Sequence, residues 1–371
     1  MLGLVLMDGV PGVTMAAVES GESFRYEFPV RQAGTYWWHA HTLQEPMGHY
    51  GPIIIDPAEP ESHKYDRDYV VMLSDWSPMH PHAIMKKLKV GEAPFNYQKT
   101  TATDDYPLTG AERRMWARMR MMPTDIADVS APLYTYLLNG HGPDDGLEFA
   151  YNPGERIRLR FINGAAMTFF NVRIPGLPMT VIAADGQNVR PVEVDEFQIG
   201  NAETYDVIVE PHGGDAFAIV AEAMDRSGMG LAMLASRPGA RATVPPLRDP
   251  PLLTMADMGM NHGGSDGGMD HGDHGGMAGT EHDSGTQGGN MDMGSMSMRD
   301  TSLLPPNVKI GPGLDMVAMN PVDRMGDPGI GLDTVGHRVL NYKQLVSAKV
   351  NTDMRHPTRL KEIHLSGNME R

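Results

Sequence analysis

The chain has 371 residues, with 31 Lys and Arg against 47 Asp and Glu, 30 Met and no Cys. A formal net charge of −16 argues against a nucleic-acid partner and favours cations or plain solubility. Zero Cys removes disulfides, thiolate zinc sites and cysteine-ligated blue copper, and nowhere does an uncharged apolar run reach membrane-spanning length.

At roughly 150 residues per domain the length allows two domains with real cores. Residues 1–6 are apolar but lack a basic flank and are too short for a signal-peptide core. Phe24, Tyr26, Phe28 and Val30 alternate with polar neighbours, a pattern that predicts a half-buried strand. Gly34 breaks it before a second strand, Tyr36-Trp37-Trp38, that leads into His39 and His41. Side chains alternate along an extended segment, so a His-x-His pair puts both imidazoles on one face, where they can hold one metal ion or reach two adjacent ions. Imidazole suits copper, zinc, iron and nickel alike, so the pair alone does not name the metal. Ile53, Ile54 and Ile55 read as a strand buried on both faces that ends one β-sandwich, and residues 56–64, rich in Pro and Glu, read as a linker.

A second sandwich starts at residues 68–74. Its strands include Ile157, Leu159 and Phe161 facing inward with Arg156, Arg158 and Arg160 outward, then residues 179–184, 204–210 and 217–222. One helical insertion interrupts the β pattern, since Thr109 and Glu112 match a capping box ahead of residues 113–122. Met115, Met119 and Met122 fall at helical spacing there and are read as packing rather than as a copper track. His80 and His82 form another His-x-His, placed in a loop by Pro78 and Pro81 and read as peripheral at most; His49 is read as a surface histidine, and His141 and His212 receive no role.

Residues 255–298 hold nine Met, four His, seven Asp or Glu and thirteen Gly, with no Lys or Arg. Such a composition buries too little apolar surface to offset ordering entropy and predicts disorder without a ligand. Thioether sulfur favours Cu(I), and neutral imidazole accepts Cu(I) or Cu(II). Met258, Met260 and His262, and again Met269, His271, His274 and Met277, place several such donors within a few residues.

The run through residues 7–13 (MDGVPGV), 34–41 (GTYWWHAH) and 51–57 (GPIIIDP) resembles the second copper motif of the multicopper oxidases, above all their bacterial periplasmic copper-resistance branch. The resemblance continues through 136–140 (YLLNG), 153–163, 171–179, 184–187 (ADGQ), 202–211 and 365–371, so it covers nearly the whole chain. It implies an all-β fold of tandem cupredoxin-like Greek-key sandwiches. Residues 1–60 would be the later part of a first domain, 65–240 a second carrying the helical insertion near 109–122, 250–300 a disordered Met/His-rich segment, and 301–371 a linker towards a truncated third.

The resemblance further implies copper as cofactor, His39 and His41 as ligands of a type 3 copper pair, and an intact enzyme passing electrons from Cu(I) or another reductant to dioxygen. Protein partners are left open, and a periplasmic location follows from the resemblance alone. The family's N-terminal His-x-His-Gly and its two C-terminal copper motifs are absent, so the chain is read as an internal fragment, inactive alone. A rival reading from another class is a non-catalytic copper-binding protein that sequesters the metal through residues 255–298.

Overall fold

The alternation of Ile157, Leu159 and Phe161 marks the centre of the fold, and all three are fully buried. The computed structural model describes residues 9–41, 43–89, 131–251 and 322–350, with isolated positions at 95, 253, 257, 259, 352, 355–359 and 361. Residues 1–85, 127–251 and 324–359 form one compact unit, and 86–126, 252–323 and 360–371 a second. In the second, Lys87 places its ammonium 5.4 Å from the centre of the Phe95 ring. The helical insertion near 109–122 and the donors of the Met/His segment lie outside the described residues.

The described strands are β1 (Gly34–His39), β2 (Tyr50–Ile55), β3 (Arg67–Trp76), β4 (Thr135–Leu138), β5 (Glu148–Ala150), β6 (Ile157–Asn163) and β7 (Phe170–Arg173). They continue as β8 (Met179–Ala184), β9 (Gln187–Val194), β10 (Glu196–Ile199), β11 (Thr204–Val209), β12 (Ala216–Ala223) and β13 (Met229–Ala235). One helix, α1 (Pro81–Leu88), follows β3. A six-stranded sheet in the order β4-β3-β6-β11-β8-β9 faces a five-stranded sheet in the order β10-β7-β12-β13-β5, a Greek-key-like all-β sandwich. The β3–β6 and β5–β13 pairs are parallel and the remaining pairs antiparallel. Between the sheets, Leu159, Phe161 and Val207 meet Phe170, Phe197 and Ile219 in one core. Phe161 and Phe197 pack edge to face at 5.4 Å, a favoured aromatic geometry.

The two-stranded sheet β1-β2 is a hairpin laid over the outer face of the six-stranded sheet. Arg160 Nη1 donates to Thr35 Oγ1 at 3.0 Å, and Thr204 Oγ1 donates to the Thr35 carbonyl at 3.2 Å. The backbones approach so closely that a Cβ on Gly34 would stand 2.5 Å from the Gly186 carbonyl oxygen, and one on Gly186 would stand 2.4 Å from the Tyr36 ring. Only glycine fits both positions without displacing a neighbour, and both have left-handed φ values, +141° and +71°.

Arg158 and Arg160 do point away from the sandwich core, yet they are buried, because the hairpin and residues 61–68 form a second layer over them. Arg158 pairs with Glu61 and Asp206, each at 2.6 Å, and Arg160 makes a bidentate pair with Asp68 at 2.6 and 2.7 Å. Arg156 alone of the three stays well exposed, with 41 % of its side chain accessible.

Two local expectations are corrected. Residues 22–33 form no strand: Tyr26 and Val30 are 51 % and 62 % exposed, and no described strand runs beside them to complete a ladder. Pro81 begins helix α1 rather than holding a loop, since proline at the first helical position loses no intrahelical hydrogen bond. Of the stretch read as a linker after residue 301, residues 322–350 include Leu332 and Leu340, both buried, and bridge to the sandwich at Val339–Glu196 and Ser347–Val189.

Candidate metal centre

His39 closes β1, paired across the hairpin with Tyr50. Beyond it the chain turns through a 3₁₀ turn, Glu45–Met47, that ends at Gly48 with φ 94°. Four backbone bonds fasten this connection: Ala40 N–H to the His49 carbonyl, His49 and Met47 N–H to the Gln44 carbonyl, and Gly48 N–H to the Glu45 carbonyl. The loop therefore holds its side chains on a fixed frame.

On that frame Trp37, His39 and His41 share one face, as period-two alternation requires. The two imidazole centres are 5.0 Å apart with planes tilted by 34°, and the Trp37 indole stacks on His39 at 4.3 Å and 17°. Trp38 points to the opposite face and is half exposed. His39 Nδ1 is buried and has no hydrogen-bond partner. Glu45 Oε1 lies 3.4 Å from it, close enough for charge but not aligned as a hydrogen bond.

Two imidazole nitrogens about 2 Å from one metal put their ring centres roughly 5–6 Å apart, so the observed spacing fits a shared ion. The buried His39 Nδ1 is costly while it stays unpartnered, so its nearest polar neighbour, Glu45, bears on how the ring is held. Among the described residues no group of three or more His, Asp or Glu converges on one point, so the pair is a partial ligand set. The other predicted donors, Met258, Met260, His262, Met269, His271, His274 and Met277, lie outside the described residues.

Beside the histidine loop runs a cleft of about 510 Å³, lined by Pro46, Tyr50, Met72, Ser74, Asp75 and Trp76 among others. Burial raises the Tyr50 pKa, with Ser74 opposing and Asp75 adding to the effect, so the phenol stays protonated at neutral pH. Asp75 is itself buried and accepts hydrogen bonds from the Ala166, Met167 and Thr168 amides and from Thr168 Oγ1. It fixes the backbone of residues 166–168.

The remaining histidines are dispersed. His49 is exposed and joins the loop through its backbone. His80 and His82 lie 5.3 Å apart, but the His82 amide donates to His80 Nδ1, which occupies that lone pair. His212 stands 4.0 Å from Glu210, and His141 bridges back to Leu138.

A second polar cluster had no clear signal in the sequence. Glu196 and Glu222 are fully buried on the five-stranded sheet, held by Arg248, with His337 Nε2 at 2.7 Å from Glu196 Oε2. Its members are spread over 142 residues of chain, so spacing could not unite them. Glu45, four positions after His41 and followed by Pro-Met-Gly, is an acidic residue that the sequence itself places close to the histidine pair.

A family model described as multicopper oxidase matches residues 67–238, and a second of the same description matches residues 2–60. Copper resistance protein A of Escherichia coli is 48 % identical over 401 residues, which takes in 100 % of this chain and 66 % of that protein. Copper resistance protein A of Pseudomonas syringae pv. tomato is 45 % identical over 415 residues, again 100 % of this chain and 66 % of the relative. The chain thus spans about two thirds of the length of these relatives. Among solved structures, Fet3p, a multicopper oxidase that functions in iron import, superposes with a TM-score of 0.50 at 21 % identity, covering 67 % of this chain and 42 % of that one. That likeness speaks for the fold.

Proposed function

The chain belongs to the multicopper oxidase family, and from that premise we propose that His39 and His41 are ligands of its type 3 copper pair, in a protein of periplasmic copper resistance. The observation that carries the reading is the pair itself: two imidazoles with ring centres 5.0 Å apart on one strand face. The chemistry copper supplies when bound is one-electron transfer, in the whole oxidase from a reductant such as Cu(I) to dioxygen, which leaves as water.

The chain's own residues bind and orient. Neutral imidazoles of His39 and His41 present nitrogen lone pairs, and Trp37 covers one face of the His39 ring and keeps water from it. Thr35, four residues earlier, ties the strand to Arg160 and Thr204, so the ligands are set relative to a rigid sandwich. The names of the relatives support the copper-resistance role. In domain terms, residues 1–60 belong to one cupredoxin-like unit and 65–240 to the next. Periplasmic location is part of the same proposal, and no described helix is long and apolar enough to cross a membrane.

A second reading, a copper-sequestering protein working through residues 255–298, is favoured by nine Met and four His in that one stretch. Cu(I) titration against a competing chelator separates the two. Replacing His39 and His41 by Ala is expected to lower the bound stoichiometry and remove the tightest class of sites. If capacity survives that change and falls only when residues 255–298 are deleted, sequestration replaces the oxidase reading.

A further inference from the structure

Copper needs a lone pair at the nitrogen facing it, so a neutral histidine must carry its proton on the other nitrogen. What fixes that choice is the hydrogen-bond partner of the far nitrogen. In this hairpin one nitrogen of His39, Nδ1, is buried and unpartnered, with one carboxylate close by, Glu45 Oε1 at 3.4 Å.

Nothing about that placement is loose. Glu45 opens the 3₁₀ turn, Pro46 follows it, and Gly48 closes the turn in the left-handed region while its amide returns to the Glu45 carbonyl. The bonds from Ala40 to His49 and from His49 to Gln44 hold the turn against the end of β1. Both side chains are largely covered, with 32 % of His39 and 24 % of Glu45 accessible. Stacking on Trp37 sets the plane of the His39 ring but not which edge faces the loop, because a half-turn about Cβ–Cγ preserves the stack. A carboxylate beside one edge breaks that symmetry.

We propose that Glu45 is the positioning residue of His39: its carboxylate accepts a hydrogen bond from Nδ1–H, selects the tautomer with a free Nε2 lone pair, and so presents Nε2 to copper. The inference rests on the metal-centre reading above. The 3.4 Å separation needs only a small side-chain rotation to become an aligned bond, and hydrogen bonds of this kind commonly tighten when the site is filled. A carboxylate outside the ligating ring also raises the basicity of that ring and adds negative charge next to a bound cation.

The test reads the tautomer directly, in the copper-free full chain. Long-range ¹H–¹⁵N spectra of the histidine side chains at a pH where they are neutral, assigned with His39→Gln, are expected to show His39 protonated on Nδ1. Glu45→Ala should move it to the Nε2-protonated form and weaken Cu(I) binding by about 10–100-fold. Glu45→Gln, which keeps shape and an acceptor oxygen, should retain most of the tautomer preference. An unchanged tautomer in Glu45→Ala overturns the proposal even where His39→Ala abolishes tight copper binding. A tautomer that shifts while both Glu45→Ala and His39→Ala bind copper like the parent overturns it for a different reason, because the metal-centre reading has then failed.

Discussion

Removing the Arg248 guanidinium should destabilise the sandwich strongly, because it leaves two buried carboxylates without their cation. Arg248 makes a bidentate pair with Glu196 at 2.6 and 3.0 Å, its Nε donates to Glu222 at 2.6 Å, and its amide donates to the same carboxylate at 2.9 Å. Both glutamates are fully buried, and Arg248 itself is only 21 % accessible, so screening by water is weak. Arg248→Met keeps the aliphatic body and deletes the charge. Leaving a buried charge without its partner costs about 3–5 kcal/mol. Arg226 at 3.6 Å and Arg173 at 3.9 Å from Glu222, with His337 at 2.7 Å from Glu196, remain to share the field, which places the expectation at the lower end, about 3 kcal/mol. For a unit of 150–250 residues that is a fall in Tm of roughly 6–12 °C. Urea and thermal unfolding followed by circular dichroism, on copper-free parent and variant in one buffer, measure it. Adding Glu222→Gln should recover part of the loss, since one unpaired charge disappears with it. A loss below about 1 kcal/mol for Arg248→Met would refute the reasoning, because the glutamates would then need no cation from that segment.

Three further outcomes are expected. Gly186→Ala drives a methyl into the Tyr36 ring at a left-handed residue and should cost about 2–4 kcal/mol, read as faster amide exchange in β1 and β2 than in the sandwich strands. Asp75→Ala removes the acceptor of four hydrogen bonds around residues 166–168 and should cost about 2–4 kcal/mol in urea unfolding, with Asp75→Asn recovering only part of it. The Arg67 guanidinium, helped by the Asn152 amide, holds the Glu155 carboxyl down at about 2 from its ordinary 4.5. Because the folded value is the lower one, the stability this group contributes is fully present above pH 4.5 and is lost as pH falls towards 2, so Glu155→Gln should flatten the acid limb of a stability profile across that window.

The longer apolar strands of the sandwich were legible in the sequence, even though most of them are buried on both faces. Residues 68–74, 179–184, 204–210 and 217–222 fall on β3, β8, β11 and β12 to within two residues at either end. Short strands such as β5 and β10 were not, because three or four residues carry too little periodicity to register. Phe24 to Val30 carried the periodicity and formed no strand, which shows that alternation announces a capacity to pair, whereas a strand requires a neighbour alongside. Arg158 and Arg160 mark the opposite limit. Arginine at alternate positions reads as a solvent face, and only the arrival of the hairpin, with Asp68, Asp206 and Glu61 at matching heights, turns that face into an interior. Charge on β3 and β11 could have hinted at it, since Asp68 and Asp206 each fall opposite these arginines in register.

The histidine pair was legible for a simpler reason: a two-residue spacing on a strand converts directly into geometry, and the 5.0 Å ring separation follows from it. Everything that refines the pair comes from places spacing cannot reach. Trp37 is adjacent in sequence, but Glu45 arrives through a turn whose shape depends on Pro46 and Gly48, and the strand is held down by Thr35 reaching Arg160 and Thr204, 125 and 169 residues away. The hairpin's seat on the sandwich consequently depends on the same buried arginine that pairs with Asp68. A change at Arg160 would disturb the orientation of His39 without touching it, through loss of the Thr35 bond and of the charge balance beneath β1. Ligand geometry and sandwich electrostatics are thus one structural problem, joined at a residue whose pattern in the sequence pointed to solvent.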